Sequence, residues 1–179
     1  MGVAYIIRRA SPEDLGVLPA LELAAATRFA GMPFEAGVLS DSTPTRMFEA
    51  AQRDGRLWVA DVRAKVVGFA LTTEIDGNLH LEEVDVLPEH GRQGIGAALV
   101  RTVLAAAGDR GLAAVTLTTF RDVPWNRPFY EALGFRDLAE ADLGPGLRAL
   151  VEHEEAAGLR RAERVVMRRA AEASSRRGT

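Results

Sequence analysis

A glycine-rich stretch between a predicted strand and a predicted helix constrains the fold of this chain more than any other feature. The stretch is Gly91-Arg92-Gln93-Gly94-Ile95-Gly96, which follows a predicted strand over Leu79–Leu87 and opens a predicted helix over Gly94–Arg110. The helix is indicated by apolar residues that recur at helical spacing, namely Ile95, Leu99, Val103 and Ala106. A strand that passes into a helix through a short loop is a unit of α/β folds.

The same stretch predicts a phosphate site. A helix N-terminus carries free N–H groups and a partial positive charge, and glycines let phosphate oxygens approach the backbone. Arg92 adds a fixed positive charge. From these residues alone, a tight strand-to-helix turn without a ligand is an equal alternative.

Two common phosphate-binding motifs do not fit. A P-loop requires Lys and Ser or Thr after the second glycine, whereas Gly96 is followed by Ala97 and Ala98. A dinucleotide fingerprint, Gly-x-Gly-x-x-Gly or Gly-x-Gly-x-x-Ala, starts directly after the strand and ends in glycine or alanine. Here the final position of that pattern is Leu99, and six residues separate the end of the strand at Leu87 from Gly94. A dinucleotide oxidoreductase is therefore a weaker hypothesis.

The remaining elements surround this unit in an order that predicts one α/β sheet of mixed direction. Further strands are predicted over Val3–Arg9, Leu57–Val62, Val66–Thr73, Ala113–Phe120, Phe135–Ala139 and Arg164–Arg168. Further helices are predicted from the Ser11 cap to Phe29, from Thr43 to Gly55, over Asn126–Leu133 and over Pro145–Ala157. We expect a single domain over residues 1–169 and a disordered basic tail over residues 170–179.

Composition removes several classes of function. The 179-residue chain has a net charge of −3 and a pI of about 5.7, which disfavours a nucleic-acid partner. It has no cysteine, so a disulfide framework, a thiolate zinc site and a catalytic thiol are excluded, and a cytoplasmic location fits. The histidines lack metal-ligand spacing, so no metal is expected. No apolar run approaches the roughly 20 residues that span a membrane, and the N-terminus does not resemble a signal peptide.

Two stretches match known motifs. The first comprises Val84-Asp85-Val86-Leu87-Pro88 and then Gly91–Leu99; the second runs from Thr119 to Tyr130 and continues to Leu133-Gly134-Phe135. They resemble motifs A and B of the GNAT superfamily of acetyl-CoA-dependent N-acetyltransferases. The close resemblance covers Leu79–Leu138. The family pattern Gln/Arg-x-x-Gly-x-Gly/Ala is met except at its first position, where Gly91 stands and the arginine is displaced to Arg92.

The resemblance implies a fold, a co-substrate and binding residues. The fold would be a single GNAT-like α/β domain with a mixed, mostly antiparallel twisted sheet of about seven strands flanked by helices. Acetyl-CoA would be the co-substrate, and the backbone of Val84 and Val86 would bind its pantetheine arm together with Asn126. The pyrophosphate would lie on backbone N–H groups of Gly91, Arg92, Gln93, Gly94, Ile95, Gly96 and Ala97.

Acetyl transfer to an amine needs a base for the amine, a stabilised oxyanion and an acid for the departing thiolate. Because the chain has neither cysteine nor a Gly-x-Ser-x-Gly elbow, we expect direct attack within a ternary complex. Tyr130 is the candidate acid, since a tyrosine is protonated at neutral pH, and the family places the matching residue at the thioester sulfur. Asn126 shares its helix face. Core packing of Tyr130 and capping by Asn126 are the alternatives.

The candidate base is Glu82 or its neighbour Glu83. Glutamate is depleted in strands, and adjacent strand residues face opposite sides, so only one can enter a given cleft. The resemblance favours Glu82, and His80, two residues away, could replace it. A solvated strand end is the alternative.

The acceptor would be an amine on a small molecule or a peptide. Its pocket is predicted from the loop Gly31–Ser42, the first two helices and the turn Arg121–Trp125. A different class of function, a non-catalytic acyl-CoA-binding module, would need the loop but not Tyr130. A homodimer is one assembly that the sequence leaves open.

Overall fold

Seven strands form one mixed sheet in the computed structural model of the chain, which describes residues 4–32 and 42–171. The strands are β1 (Ile6–Arg9), β2 (Leu57–Val62), β3 (Lys65–Ile75), β4 (Asn78–Val86), β5 (Ala114–Phe120), β6 (Arg136–Asp137) and β7 (Arg164–Ala170). Their order in the sheet is β1-β2-β3-β4-β5-β7-β6. The β4–β5 pair is parallel, whereas β1–β2, β2–β3, β5–β7 and β6–β7 are antiparallel. The predicted mixed, mostly antiparallel seven-stranded sheet is confirmed.

The α-helices of the described residues are α1 (Leu18–Ala26), α2 (Thr45–Arg53), α3 (Ile95–Asp109), α4 (Arg127–Ala132) and α5 (Pro145–Ala156). The first predicted helix, from the Ser11 cap to Phe29, is divided into three helical segments. It comprises a 3₁₀ turn over Pro12–Val17, then α1, then a 3₁₀ turn over Thr27–Phe29. No helix in the described ranges has the length and apolar character needed to cross a bilayer.

Two predictions about segment ends need correction or lie outside the described residues. The predicted strand Phe135–Ala139 is reduced to β6, because Gly134 takes φ +86° and a 3₁₀ turn begins at Glu140. Most of the predicted acceptor loop, residues 33–41, lies outside the description, as do Val3 and residues 172–179 of the predicted tail. Ala170 belongs to β7 rather than to the tail.

By internal contacts the chain divides into two compact units. The first unit comprises Met1–Thr73 and Glu82–Val100, and the second comprises Glu74–Leu81 and Arg101–Thr179. In the first unit, α1, α2, β2 and β3 enclose an apolar core that includes Leu18, Phe48 and Phe69. The rings of Phe48 and Phe69 meet edge-on with centroids 5.4 Å apart, a favourable aromatic geometry.

The hairpin turn between β2 and β3 in the first unit is built without glycine. Arg63 and Ala64 join β2 to β3 at φ +51° and +63°, the conformation of a two-residue type I′ turn. The two strands thus form a hairpin, even though both turn residues carry a Cβ. Within β3, a Cβ at Gly68 would lie 2.7 Å from the carbonyl oxygen of Asp85. Glycine is therefore required at that position by the close approach of two backbones.

In the second unit, β5 pairs with β7 along its whole length, from Ala114↔Ala170 to Phe120↔Arg164. A second apolar cluster lies under α5 and includes Leu147 and Val166. Asp76 and Gly77 form the turn between β3 and β4, with φ values of +51° and +72°. The Asp76 carboxylate also accepts the N–H groups of Gly146 and Leu147, both at 2.9 Å, and so caps the N-terminus of α5.

Candidate acetyl-CoA site

The glycine-rich loop leaves β4 through a short 3₁₀ turn and enters α3. The Leu87 N–H donates to the Val67 carbonyl at 2.8 Å, which fixes the start of the loop on β3. The turn spans Pro88–His90, and the Gly91 N–H donates to the Pro88 carbonyl at 3.0 Å. The Gly91 N–H, one of the predicted pyrophosphate donors, thus has an internal acceptor in this structure.

Left-handed backbone occurs at Arg92 and Gly94, with φ values of +58° and +83°. Gly91 has φ −62°, so conformational freedom is not its purpose. A Cβ there would lie 3.0 Å from the Pro88 carbonyl oxygen, and close approach accounts for the glycine. Arg92, the displaced arginine, has a left-handed backbone, a conformation that costs an L residue about 1–2 kcal/mol.

The N-terminus of α3 provides the anion-binding geometry. The first hydrogen bond into the helix runs from the Ala98 N–H to the Gly94 carbonyl at 3.0 Å. The N–H groups of Ile95, Gly96 and Ala97 precede it, and such first-turn donors have no acceptor within a helix. The Ile95 side chain is only 1% exposed, which anchors the first turn, while Gly94 is exposed. This arrangement suits an anion held by backbone N–H groups.

Gln93 supports the loop with its side chain. Its Nε2 donates to the Glu89 carbonyl at 3.3 Å, and its Oε1 is buried with no partner among the described residues. Arg92, by contrast, is exposed, so its guanidinium is directed toward solvent rather than used to hold the loop together.

The predicted base candidates Glu82 and Glu83 lie in β4, and both are half-buried. Since strand residues alternate in facing, Glu82 shares a face with Val84 and Val86. The register of β4 with β5 covers Leu79 to Leu81 and stops there. Glu82 is thus the first residue of β4 after the pairing with β5 ends.

Two further carboxyl groups of the first unit were not among the predicted site residues, namely Glu22 of α1 and the half-buried Asp85 of β4. Glu22 is 8% exposed, and its Oε1 accepts the N–H and the hydroxyl of Thr43 at 2.9 and 2.8 Å. Burial, followed by the charge of Glu22, raises the pKa of Asp85 to about 7, while Arg28 acts in the opposite direction. The available signal was Glu22 itself, the single charge in the apolar run Leu18–Ala26.

His80, the predicted alternative to Glu82 as base, is a buried residue. It belongs to the second unit and is 1% exposed. Its Nδ1 lies 2.9 Å from the Thr116 hydroxyl. Burial lowers its pKa to about 4, so it is a neutral member of the core with little basicity. Within residues 4–32 and 42–171, no group of His, Asp or Glu has an arrangement suited to a metal ion.

Asn126 and Tyr130 lie at the start of α4 in the second unit. Asn126 is the N-cap residue, yet its side chain makes no capping hydrogen bond, so capping does not account for the amide. Its carbonyl accepts the Tyr130 N–H at 3.3 Å. The Tyr130 ring packs edge-on between Phe129 and Phe135, at centroid distances of 5.0 and 5.8 Å. The ring is therefore held by aromatic contacts.

Known proteins resemble this chain in sequence. The model of the acetyltransferase (GNAT) family matches residues 24–135. The human protein N-acetyltransferase 8B is 33% identical over 137 residues, which cover 72% of this chain and 59% of that protein. This chain belongs to the GNAT acetyltransferase family. A thialysine N-epsilon-acetyltransferase of Bos taurus is 35% identical over 77 residues, 41% of this chain and 44% of its own length.

Solved GNAT structures share the fold at low sequence identity. A PaiA N-acetyltransferase from Thermoplasma acidophilum, solved in complex with coenzyme A, has a TM-score of 0.71 at 17% identity. The likeness covers 94% of this chain and 99% of that one. The chain spans about half the length of the curated relatives it matches, from 44% to 59% for those compared.

Proposed function

We propose that this GNAT protein transfers the acetyl group of acetyl-CoA to a primary amine by direct attack within a ternary complex. The observation that carries the proposal is the N-terminus of α3, where three first-turn N–H groups follow the left-handed Gly94. A pyrophosphate would be held there by the N–H groups of Gln93 to Ala97, with Arg92 adding a solvent-screened charge. The pantetheine arm would lie along the backbone of Val84 and Val86, with Asn126 as a further contact.

The proposed chemistry moves one acyl group and one proton. The amine nitrogen attacks the thioester carbonyl, the C–S bond breaks, and the thiolate takes a proton from Tyr130. Glu82 takes the proton that the amine loses, directly or through water, and then releases a proton to solvent while solvent reprotonates Tyr130, so that the net transfer is from the amine to the thiol. Proximity of the two substrates would supply much of the rate.

The acceptor is proposed only by class, as a primary amine on a small molecule or a peptide. Support comes from the family and from one relative, whose name assigns it the amine of thialysine. Thialysine is therefore a suitable first member of an acceptor panel. A cytoplasmic location and a homodimer stay predictions.

The test is release of free thiol from acetyl-CoA in the presence of a broad amine panel, with coenzyme affinity measured separately by calorimetry. Tyr130→Phe should lower kcat roughly a hundredfold or more while CoA affinity stays within about twofold. Glu82→Gln should lower kcat, and Glu83→Gln, its neighbour on the opposite face, is the matched control. Coenzyme binding without turnover on any amine would identify the chain as a non-catalytic acyl-CoA-binding module instead.

A further inference from the structure

A cavity of about 260 Å³ lies in the second unit beside the start of β7. Its walls come from residues at and after the end of β6 and from residues that open β7, together with Arg121, which directly follows β5. Two lining residues are joined through their backbones, since the Leu138 N–H donates to the Val166 carbonyl at 2.8 Å. The walls are thus fixed by backbone pairing, and the volume suits a small ligand or one group of a larger ligand.

Two guanidinium groups that line this cavity converge on one backbone oxygen. Nη2 of Arg121 donates to the Arg164 carbonyl at 3.1 Å, and Nη1 of Arg161 lies 3.5 Å from the same oxygen. Arg121 is also held by its own N–H, which donates to the Glu163 carbonyl at 2.7 Å. Two positive charges are therefore held close together, and an anion that contacts both would relieve their repulsion.

The acidic residues of the cavity leave one positive charge unbalanced. Asp137 pairs with Arg127 of α4 at 2.9 Å, so its charge is neutralised by a residue outside the cavity lining. Glu140 approaches Arg161 only to 3.6 Å and is exposed, which makes a weak ion pair. The Arg121 guanidinium donates to a backbone carbonyl, which carries no net charge. Two guanidinium groups thus face one distant carboxylate, and a monoanion would restore the balance.

We infer that this cavity binds a carboxylate group between the guanidinium groups of Arg121 and Arg161. A guanidinium fork matches the two oxygens of a carboxylate, and a carboxylate carries the single negative charge that the lining lacks. A dianion would add a second negative charge beside Glu140. Two sources supply a carboxylate, the acceptor amine itself and a separate small acid, and competition kinetics distinguishes them. Binding in the cavity does not itself require the proposed acetyl transfer.

Contacts connect the cavity to the helix that carries the proposed acid. Arg127, the partner of Asp137, lies three residues before Tyr130 on α4. Arg121 opens the turn Arg121–Trp125, which the sequence predicts as part of the acceptor pocket. The carboxylate of an acceptor is therefore the first source to test.

The experiment measures ligand binding by NMR titration at pH 7, with coenzyme A present so that the loop before α3 does not capture the probe. The probes are butanoate and butanamide, which match in size and differ in charge, and sulfate serves as a dianion. We expect wild-type protein to bind butanoate about tenfold more tightly than butanamide, the factor of one charge-assisted hydrogen bond. Sulfate should bind less tightly than butanoate, because the lining balances only one negative charge.

Arg121→Gln and Arg161→Gln should each remove the preference for butanoate and leave CoA affinity unchanged. Arg101→Gln is the matched control, since it removes the same charge from an exposed position on α3 in the same unit, and it should preserve the preference. If one of the two cavity variants fails to fold, the other carries the test.

Equal binding of butanoate and butanamide by wild type would overturn the proposal. So would a preference that persists in both cavity variants, or tighter binding of sulfate than of butanoate. With an acetylated amine that carries a carboxylate, butanoate raises the KM if that carboxylate occupies the cavity, and it leaves the KM unchanged if the ligand is a separate acid. Failure of the proposed function would appear differently, as butanoate binding without acetyl transfer to any amine.

Discussion

Gly94→Ala is the substitution that separates an anion-binding loop from an ordinary strand-to-helix turn. Gly94 has φ +83°, so a Cβ costs about 1–2 kcal/mol of folding stability. No clash adds to that cost, because the new Cβ would lie 3.7 Å from its nearest neighbour, the Tyr5 hydroxyl. Gly94 directly precedes Ile95 to Ala97 in the chain, so the new methyl group is added next to the first-turn donors.

Loss of one phosphate hydrogen bond is worth about 1.5–3 kcal/mol, so CoA affinity should fall about 10- to 100-fold in calorimetry. The matched control is Gly111→Ala at the opposite end of α3, where φ is +70° and a Cβ meets nothing within 4 Å. It should show a similar loss of stability with CoA affinity unchanged. Equal CoA affinity in wild type and Gly94→Ala, or an equal loss in both variants, would refute the reasoning.

Three further changes test other parts of the account. Arg92→Ala should weaken CoA binding by less than about 3 kcal/mol, since its side chain is exposed; Arg92→Gly should raise the free energy of unfolding in urea by about 1 kcal/mol through relief of φ +58°. A larger loss with alanine would make the guanidinium the main phosphate ligand. Gly68→Ala should lower the free energy of unfolding by about 1–3 kcal/mol, because its Cβ would lie 2.7 Å from the Asp85 carbonyl oxygen; an unchanged urea midpoint would contradict that contact. The Arg8 hydrogen bond holds the pKa of Asp14 at about 2 against 3.8, so this stabilisation is present above pH 4 and lost as the pH falls through 2. It amounts to about 1–2 kcal/mol after discounting for Arg8, which is 35% exposed; Asp14→Asn should flatten that part of the acid stability curve.

Elements with strong local signals could be predicted from the sequence. The buried face of α3 follows from the spacing of Ile95, Leu99 and Val103, all of which are at most 1% exposed. The turn at Asp76-Gly77 follows from residues that tolerate positive φ. Strand β6 could not be bounded in this way, because its two residues owe their conformation to pairing with β7 rather than to any local pattern.

In the candidate site, too, features set by local sequence could be predicted, whereas features set by tertiary contacts could not. The donors at the start of α3 follow from glycines and a helix start, which are local features. Internal use of the Gly91 N–H depends on the 3₁₀ turn before it, and the left-handed Arg92 breaks a propensity rule. The influence of Glu22 on the pKa of Asp85 joins residues far apart in the sequence, and burial of His80 depends on its contact with Thr116. Tertiary contacts of these kinds leave no periodic trace in a sequence.

The central claim is that this chain binds acetyl-CoA through the loop before α3 and passes the acetyl group to an amine. Its most direct measurement follows acetyl-CoA labelled with ¹³C at the carbonyl, incubated with an amine panel that includes thialysine. The account predicts that the label appears as an amide on at least one amine, with an equal amount of free coenzyme A, and that Gly94→Ala raises the KM for acetyl-CoA. If folded protein binds coenzyme A in calorimetry but no labelled amide appears on any amine, the account is contradicted.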